Sequence, residues 1–263
     1  MIRVLVSGSG KMGRAILEAL DAADGVEPAG VVDKLATAAS ITLPSGRELP
    51  MSADAGAACD AVKPDVVIDF TNAAWTPVLT EAALQRGVRP VIGTTGLPQS
   101  YVEALTRECR ERRLGGVLAA NFAISAVLMM HMAKIAARFF DSAEIIELHH
   151  DQKVDAPSGT SIETARGMLE ARGGKPFDRN EPDAQTIEGT RAGALDGVTI
   201  HSVRLPGLVA HQEVLFGGLG QTLSIRQDSM GRDSYMPGII LAAREVMRRE
   251  ELVIGLEALF GLD

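Results

Sequence analysis

Residues 147–161 read ELHHDQKVDAPSGTS and combine side chains that transfer protons with side chains that bind anions. The histidine side chain ordinarily titrates near neutral pH, so the imidazole of His149 or His150 suits general acid or base catalysis. Lys153 offers a fixed cation or, where burial lowers its pKa, a proton donor. Strand alternation would place Glu147 and His149 on one face. The segment predicts a site at which a small, multiply anionic substrate accepts a proton.

A helix is predicted to begin within Pro157-Ser158-Gly159-Thr160, directly after these residues. Thr160 and Glu163 have the spacing of a capping box, so we expect Thr160 to cap the helix. Backbone N–H groups at a helix start also donate to carboxylates and phosphates. We therefore predict that Ser158, Gly159 and Thr160 contribute to substrate binding.

A second set of functional residues follows the first predicted strand, in VLVSGSGKMGRAIL. This GxGxxG pattern lies between a strand and a helix, as in dinucleotide-binding loops. Asp33 comes twenty residues after Gly13 and ends the second predicted strand, where its carboxylate can accept hydrogen bonds from ribose hydroxyls. The predicted cofactor contacts in this region are Gly8, Ser9, Gly10, Lys11, Met12, Gly13, Asp33 and Lys34.

The sequence allows either NADH or NADPH as the cofactor. Asp33 favours a free 2′-hydroxyl because its charge repels a 2′-phosphate, whereas Lys34 and Lys11 can offset that repulsion. Three later loops, DFTN, GTTG and AANF, follow predicted strands and carry small or hydroxyl-bearing residues. We expect GTTG and AANF to line the nicotinamide side through Gly93, Thr94, Thr95, Ala119, Ala120, Asn121 and Phe122.

Hydrophobic periodicity predicts the elements that position these residues. Up to residue 121, short β-branched runs alternate with helix-like stretches, which is typical of a parallel sheet covered on both faces. One long, largely buried helix is predicted for AISAVLMMHMAKIAARFF, with Met129, Met130 and Met132 in the core. Further strand-like segments follow, and a helix is predicted after Pro237.

We therefore expect an α/β protein, with a Rossmann-type doubly wound parallel sheet and an inserted α+β domain. Residues 1–121 and 234–263 are predicted to form the dinucleotide-binding domain, and residues 122–233 the substrate-binding domain. His201 and His211, on strands of the inserted domain, are expected to face solvent or a subunit interface.

Composition argues against several classes of protein and site. The net charge of −8 offers no basic face for nucleic acid. Cys59 and Cys109 have no partners at ligand spacing, so we predict reduced thiols and no metal site. No apolar run has transmembrane length, and the chain starts with the strand-like IRVLVSG. We expect a cytoplasmic protein that binds neither nucleic acid nor membrane.

ELHHDQKVDAPSGT resembles, nearly residue for residue, the signature of the 4-hydroxy-tetrahydrodipicolinate reductase (dihydrodipicolinate reductase) family. The resemblance extends through GKMGR, DFT, GTTG, AANF, HSVRLPGLVAHQEVLFGG and MPG, and so covers essentially the whole chain. It implies reduction of a cyclic dicarboxylate by NADH or NADPH in the diaminopimelate route to lysine. It also implies a homotetramer assembled through the sheet of the inserted domain.

The resemblance also implies roles for individual residues. His149 matches the family's proton donor or acceptor and Lys153 its second proton donor, while His150, Gly159 and Thr160 match contacts to substrate carboxylates. The loop from Gly8 to Gly13, with Asp33 and Lys34, matches the dinucleotide site.

The chain departs from the family pattern at three positions. Lys11 stands where the family more often has arginine, Ser125 stands where glycine is usual, and Gln227 replaces a more usual histidine. Arg204, near the LPG turn, is expected to help an oligomer contact.

Two other functions fit part of the sequence. A related two-domain dehydrogenase acting on an amino-acid-like substrate would keep the glycine loop but gives no reason for Lys153 followed by DAPSGT. A non-catalytic dinucleotide-sensing module would bind the cofactor and tolerate loss of His149 and Lys153.

Overall fold

The computed structural model describes residues 1–262, which form two compact units. The first unit combines residues 1–124 with the C-terminal segment that starts at Arg232, and the second unit consists of residues 125–231. Within the described range, every helix is too short or too polar to cross a membrane.

In chain order, the strands are β1 (Ile2–Ser7), β2 (Val26–Val32), β3 (Ser40–Thr42), β4 (Glu48–Ser52), β5 (Val66–Asp69), β6 (Arg89–Ile92), β7 (Gly116–Leu118), β8 (Ser142–His149), β9 (Gly193–Leu195), β10 (Val198–Arg204), β11 (Ala210–Gly218), β12 (Gln221–Ser229) and β13 (Leu252–Ile254). The α-helices are α1 (Lys11–Ala22), α2 (Ala55–Val62), α3 (Thr76–Leu84), α4 (Gln99–Arg112), α5 (Ile124–Ala137), α6 (Gly159–Ala171) and α7 (Met236–Glu245). Short 3-10 helices lie at Arg232–Tyr235, Val246–Arg248 and Glu257–Leu259.

The first unit is built on an eight-stranded sheet with the order β13-β7-β6-β5-β1-β2-β4-β3. Every neighbouring pair is parallel except the edge pair β3–β4. The central strands are buried on both faces, which explains their continuous apolar runs, such as Val4–Val6 and Val66–Ile68. The predicted Rossmann-type fold class is confirmed. In this arrangement, the loops after β1, β5, β6 and β7 follow adjacent parallel strands and share one edge of the sheet.

The second unit is built on a five-stranded sheet with the order β12-β11-β8-β10-β9, in which only β8 and β10 pair in parallel. One face of this sheet packs against α5 and α6. The core between them contains Met129, Ala133, Ala136, Ala143, Ile145, Ala165, Met168, Val198, Ile200, Val214 and Phe216.

We call the side of this sheet that faces away from α5 and α6 the open face. Strand alternation and the pairing register assign one set of residues to it. These are Glu144, Ile146, Leu148, His201, Val203, His211, Glu213, Leu215 and Arg226. The apolar members of the set remain partly exposed, whereas Ile145, Ile200 and Val214 on the opposite face are buried.

The predicted long, largely buried helix is shorter than expected, and one of its faces is exposed. The helix α5 ends at Ala137, and Met132 and Ile135 are 45% and 48% exposed. Met129, only 1% exposed, lies on the face that packs on the sheet. Apolar residues occur on both faces of this helix, so periodicity alone did not distinguish its buried side.

Neither histidine of the open face points freely into solvent. His211 is only 6% exposed, its Nδ1 lies 2.7 Å from Asp228 Oδ1, and its Nε2 accepts a hydrogen bond from the backbone N–H of Val209. His201 Nε2 lies 2.7 Å from Glu144 Oε2. Of the two positions predicted for His211, exposure to solvent is therefore wrong, because a neighbouring carboxylate and a turn amide satisfy its ring. A place at a subunit interface stays a prediction.

Candidate functional site

The glycine loop follows β1 and leads directly into α1, as the sequence predicted. Gly8 has a φ of +92°, a left-handed conformation that favours glycine, and its N–H donates to Val32 O at 2.8 Å. A Cβ on Gly13 would lie 1.9 Å from the carbonyl oxygen of Gly8, so this position must be glycine for the helix to approach the loop. A Cβ on Gly10 would meet no atom within 4 Å. The open space at Gly10, beside the start of α1, fits the approach of a pyrophosphate.

Asp33 directly follows β2 and is held against this loop. Its Oδ2 accepts hydrogen bonds from Ser9 N at 2.8 Å and Ser9 Oγ at 2.6 Å, and its Oδ1 accepts one from Leu35 N at 2.9 Å. Partial burial opposes ionisation, but these hydrogen bonds outweigh it and the pKa of Asp33 lies below its usual range. Lys34, the next residue, is exposed, and so is Lys11, the first residue of α1. The residues present at this loop fit a dinucleotide.

Asp69, at the end of β5, joins the DFTN and GTTG loops. It is 1% exposed and accepts hydrogen bonds from the hydroxyls of Thr71, Thr76 and Thr94 at 2.7, 2.5 and 3.2 Å. The Thr94 hydroxyl also accepts a hydrogen bond from Thr71 N at 3.1 Å. The Thr94 hydroxyl is therefore engaged within the protein, while the neighbouring Thr95 is exposed. The position of Asp69 in a loop at the ligand edge of the sheet was predictable from the sequence, but its hydrogen bonds to three threonine hydroxyls were not.

The predicted nicotinamide residues differ in their exposure. Phe122 is fully buried, and its ring lies 5.0 Å from the Phe70 ring between centroids. Gly93 leaves room for Phe70, because a Cβ there would lie 2.1 Å from that ring. Ala119 is buried and Ala120 is exposed, and Asn121 is partly exposed with its Oδ1 accepting from Ala123 N at 2.9 Å.

In the second unit, β8 ends at His149, and Glu147 lies on the same side of the strand. His149 Nδ1 lies 2.5 Å from Glu147 Oε2, and the Glu147 side chain is fully buried. Arg204 binds both oxygens of that carboxylate, with Nη1–Oε2 and Nη2–Oε1 distances of 2.9 and 2.8 Å. Arg204 also donates to the carbonyl oxygen of Asp155 at 2.7 Å. The sequence predicted an oligomer contact for Arg204 and gave no sign of its bonds to this carboxylate.

Lys153 and His150 occupy the turn that follows β8. Lys153 N donates to His150 O at 3.2 Å, and Lys153 Nζ forms an ion pair with Asp155 Oδ1 at 2.7 Å. This pairing lowers the pKa of Asp155. The Lys153 side chain is only 21% exposed, whereas His150 is exposed.

Burial lowers the pKa of His149, and the bond to Glu147 opposes that effect only in part. The positive charges of Lys153 and Arg204 lower it further. His149 is therefore largely neutral at neutral pH and close enough to Lys153 to respond to its charge.

The predicted capping box at Thr160 and Glu163 is wrong, because the N-cap of α6 is Ser158. Ser158 has an extended backbone, and its hydroxyl accepts a hydrogen bond from Ser161 N at 3.2 Å. Thr160 is already inside the helix. The N–H of Ser158 donates to Glu147 Oε1 at 3.3 Å, so its amide and hydroxyl are both engaged within the protein. Gly159 has open space at its Cβ position, and an N–H in the first helical turn has no intrahelical partner.

Two of the positions that depart from the family pattern touch each other. The Ser125 hydroxyl lies 3.5 Å from Gln227 Oε1, which also accepts from Ser229 Oγ at 3.1 Å. The two sequence changes therefore share one hydrogen-bonded contact.

Family models match both parts of the chain. The model described as dihydrodipicolinate reductase, N-terminus, matches residues 2–122, and the model of the C-terminus matches residues 125–260. Among curated relatives, the 4-hydroxy-tetrahydrodipicolinate reductase of Geobacillus kaustophilus (strain HTA426) is 47% identical over 260 residues, covering 97% of this chain and 98% of the relative. That of Dehalococcoides mccartyi (strain ATCC BAA-2100 / JCM 16839 / KCTC 5957 / BAV1) is 44% identical over 263 residues, covering 99% of each.

One similar solved structure is also of a dihydrodipicolinate reductase. Dipicolinate-bound dihydrodipicolinate reductase from Paenisporosarcina sp. TG-14 superposes with a TM-score of 0.90 at 41% identity, covering 98% of this chain and 99% of that one. Amine dehydrogenase from Mycobacterium smegmatis superposes with a TM-score of 0.65 at 14% identity, covering 97% and 95% of the two chains. That second likeness shows a common fold alone.

The two glycines of the loop yield a first prediction. Gly13→Ala should lower the free energy of unfolding by about 1–3 kcal/mol, because the added methyl group overlaps the Gly8 carbonyl. Gly10→Ala should cost less stability but weaken NADH binding, since its methyl group enters the space offered to the pyrophosphate. Urea denaturation and calorimetric titration with NADH measure the two effects. Equal destabilisation by both changes, or unaltered NADH affinity in Gly10→Ala, would contradict this assignment.

Proposed function

The chain belongs to the dihydrodipicolinate reductase family, and we propose that His149 and Lys153 handle the protons of its reaction. The protein is an NAD(P)H-dependent oxidoreductase that reduces 4-hydroxy-tetrahydrodipicolinate in the diaminopimelate pathway of lysine biosynthesis. Its ligand is a small dicarboxylate. A non-catalytic sensing module is therefore excluded, as is a dehydrogenase of another substrate class.

The observation that carries the proposal is the proximity of three groups within residues 149–160. The imidazole of His149, the ammonium group of Lys153 and the first turn of α6 belong to one strand end, one turn and one helix start. The reaction adds a hydride and a proton and releases the hydroxyl group as water, so its site must both accept and donate protons. A largely neutral imidazole beside an ammonium group suits this requirement.

We assign the two substrate carboxylates to cationic and amide donors of the same segment. His150 and Lys153 supply polar side chains, and Gly159 and Thr160 supply N–H groups at the positive end of α6. The Ser158 N–H and hydroxyl are occupied by Glu147 and Ser161, so its part in substrate binding is to hold the start of the helix.

We assign the nucleotide to the first unit and the substrate to the second. The loop from Gly8 to Gly13 would hold the pyrophosphate, Asp33 the ribose, and Thr95 and Asn121 the nicotinamide side. When bound, NADH or NADPH supplies the hydride. In functional terms, residues 1–121 and 234–263 form the dinucleotide-binding domain, and residues 122–233 form the substrate-binding and oligomerisation domain.

We further propose that the enzyme is a cytoplasmic homotetramer assembled through the open face. Ile146, Leu148, Val203 and Leu215 remain partly exposed on this face although each of their strands is paired on both sides. Charged residues alternate with them, including Glu213 and Arg226, whose side chains pair at 3.4 Å. A mixed apolar and charged sheet face of this kind is typical of subunit interfaces. A biosynthetic reductase that consumes NADH or NADPH depends on the nucleotide pool of the cytoplasm.

Lys153→Ala should lower kcat by about two to four orders of magnitude if Lys153 supplies general-acid catalysis. The substrate is generated in the cuvette by dihydrodipicolinate synthase, and oxidation of NADH or NADPH is followed by absorbance. Running both nucleotides in the same assay also shows which one Asp33, Lys34 and Lys11 favour.

Lys175→Ala is the matched control for this variant. Lys175 is a lysine of the same unit that also pairs with an aspartate, Asp141, at 3.1 Å. It should retain the activity of the unmodified enzyme. Activity close to that of the unmodified enzyme in Lys153→Ala would remove Lys153 from the reaction and leave the reductase activity itself standing.

Ile146→Lys should break the proposed tetramer into smaller species, because it buries four ammonium groups in an apolar interface. Light scattering coupled to size-exclusion chromatography gives the mass directly. Ile135→Lys, on the exposed side of α5, makes the same substitution at a residue that is 48% exposed and should leave the mass unchanged. A full tetramer in Ile146→Lys, or a monomer in the unmodified protein, would contradict assembly through the open face.

A further inference from the structure

We propose that Glu147 and Arg204 form a positioning pair that fixes the tautomer of His149 and ties the His149 strand to the Lys153 turn. This inference rests on the proton-transfer role proposed for His149. Neither residue of the pair was singled out for the reaction by its place in the sequence.

The Glu147 carboxylate receives donors from three separate parts of the unit. Its Oε2 faces His149 Nδ1 and accepts from Arg204 Nη1, and its Oε1 accepts from Arg204 Nη2 and from Ser158 N. A carboxylate offers about four acceptor positions, so this one is saturated. Because the side chain is fully buried, water does not compete for these positions.

The donors around Glu147 decide which ring nitrogen of His149 carries the proton, because they keep the carboxylate ionised. Burial raises the pKa of Glu147, but the hydrogen bonds from Arg204 and His149 outweigh that effect and hold the pKa below its usual range. The ionised carboxylate has no hydrogen to donate, so His149 Nδ1–H must be the donor. In the neutral ring, Nε2 is then the nitrogen with a lone pair, ready to exchange protons with a substrate.

Arg204 extends the same arrangement to the lysine. It stands opposite His149 in the parallel register of β8 and β10. From there its guanidinium reaches Glu147 and the Asp155 carbonyl oxygen at 2.7 Å, and the Asp155 carboxylate in turn pairs with Lys153. One planar cation therefore fixes the carboxylate behind the imidazole and the backbone of the turn that carries the ammonium group.

Removal of the negative charge at Glu147 should lower the pKa of His149. The bond and the charge of Glu147 raise the pKa of His149 against the larger effect of burial. Glu147→Gln retains size and hydrogen-bonding capacity but loses the charge, so protonation of His149 should require a lower pH. The amide can also present either oxygen or nitrogen to the ring, so both neutral tautomers become populated.

The first measurement is the pH dependence of kcat/KM for Glu147→Gln. We expect kcat to fall by about one to three orders of magnitude with a smaller change in KM, because orientation of the catalytic ring is lost. We also expect the pH limb that disappears in His149→Gln to move to lower pH. A uniform loss of activity with no movement of that limb would overturn the proposal, since a purely structural role predicts that result.

The second measurement does not depend on activity. With histidine labelled by ¹⁵N, the chain contains five rings to resolve, and His149 is assigned by its absence in His149→Gln. The unmodified protein should show the Nδ1–H tautomer at His149, and Glu147→Gln should show a mixture. An unchanged His149 ring in Glu147→Gln would overturn the positioning role while leaving the reductase function intact.

Glu144 provides a matched control on the same strand. Its carboxylate lies 2.7 Å from His201 Nε2 and 2.7 Å from Arg191 Nη2, so it has the same kinds of partner on the open face. Glu144→Gln should change the His201 ring and leave the His149 ring and its pH limb unchanged. Movement of the His149 limb in this control as well would overturn a specific role for Glu147.

Arg204→Lys tests the other half of the pair and remains informative if Glu147→Gln does not fold. It keeps a positive charge beside Glu147 but cannot span two carboxylate oxygens and a carbonyl oxygen. We expect the Nδ1–H tautomer to persist, because Glu147 remains ionised, and kcat to fall as the Lys153 turn loosens. Unaltered kcat in Arg204→Lys would overturn the proposed connection to that turn.

Discussion

The site of the second unit is arranged around one constraint: the buried carboxylate of Glu147 must keep its hydrogen-bond donors. Taking a charge such as that of Glu147 out of water costs several kcal/mol, which only well-placed donors recover. Arg204, His149 and the N–H of Ser158 supply those donors from β10, β8 and the start of α6. Loss of one partner from such a pair typically costs about 3–5 kcal/mol, so the fold and the geometry of the site depend on the same contacts.

The first unit uses carboxylates in a related way at the ends of its strands. Asp33 ties the glycine loop to the end of β2 through Ser9, and Asp69 ties the loops after β5 and β6 through threonine hydroxyls. The two aspartates differ in their exposure to solvent and in their hydrogen-bond partners. Asp33 keeps access to solvent at the predicted ribose site, whereas Asp69 is buried and surrounded by hydroxyls. Both acids hold loops at the edge of the sheet where the nucleotide is expected.

The parts of the structure that local sequence controls were predictable. Continuous apolar strands gave the parallel sheet, and the GxGxxG pattern gave the loop between β1 and α1. Contacts between distant segments were not predictable in the same way. Nothing local to Arg204 indicates that its strand pairs with β8 so that it stands opposite His149. The N-cap of α6 was misplaced by two residues because Ser158 and Thr160 are both good caps, and the backbone conformation at Ser158 decides between them.

Strand β8 carries two acid–histidine–arginine groups, centred on Glu144 and Glu147, and the odd separation of the two acids sends them to opposite faces. Inserting or deleting a single residue between them would bring both carboxylates to one side of the sheet. Glu144 would then lie against the helices without Arg191, or Glu147 would lie on the open face without His149. Length variation among relatives should therefore spare the stretch of β8 between Glu144 and Glu147.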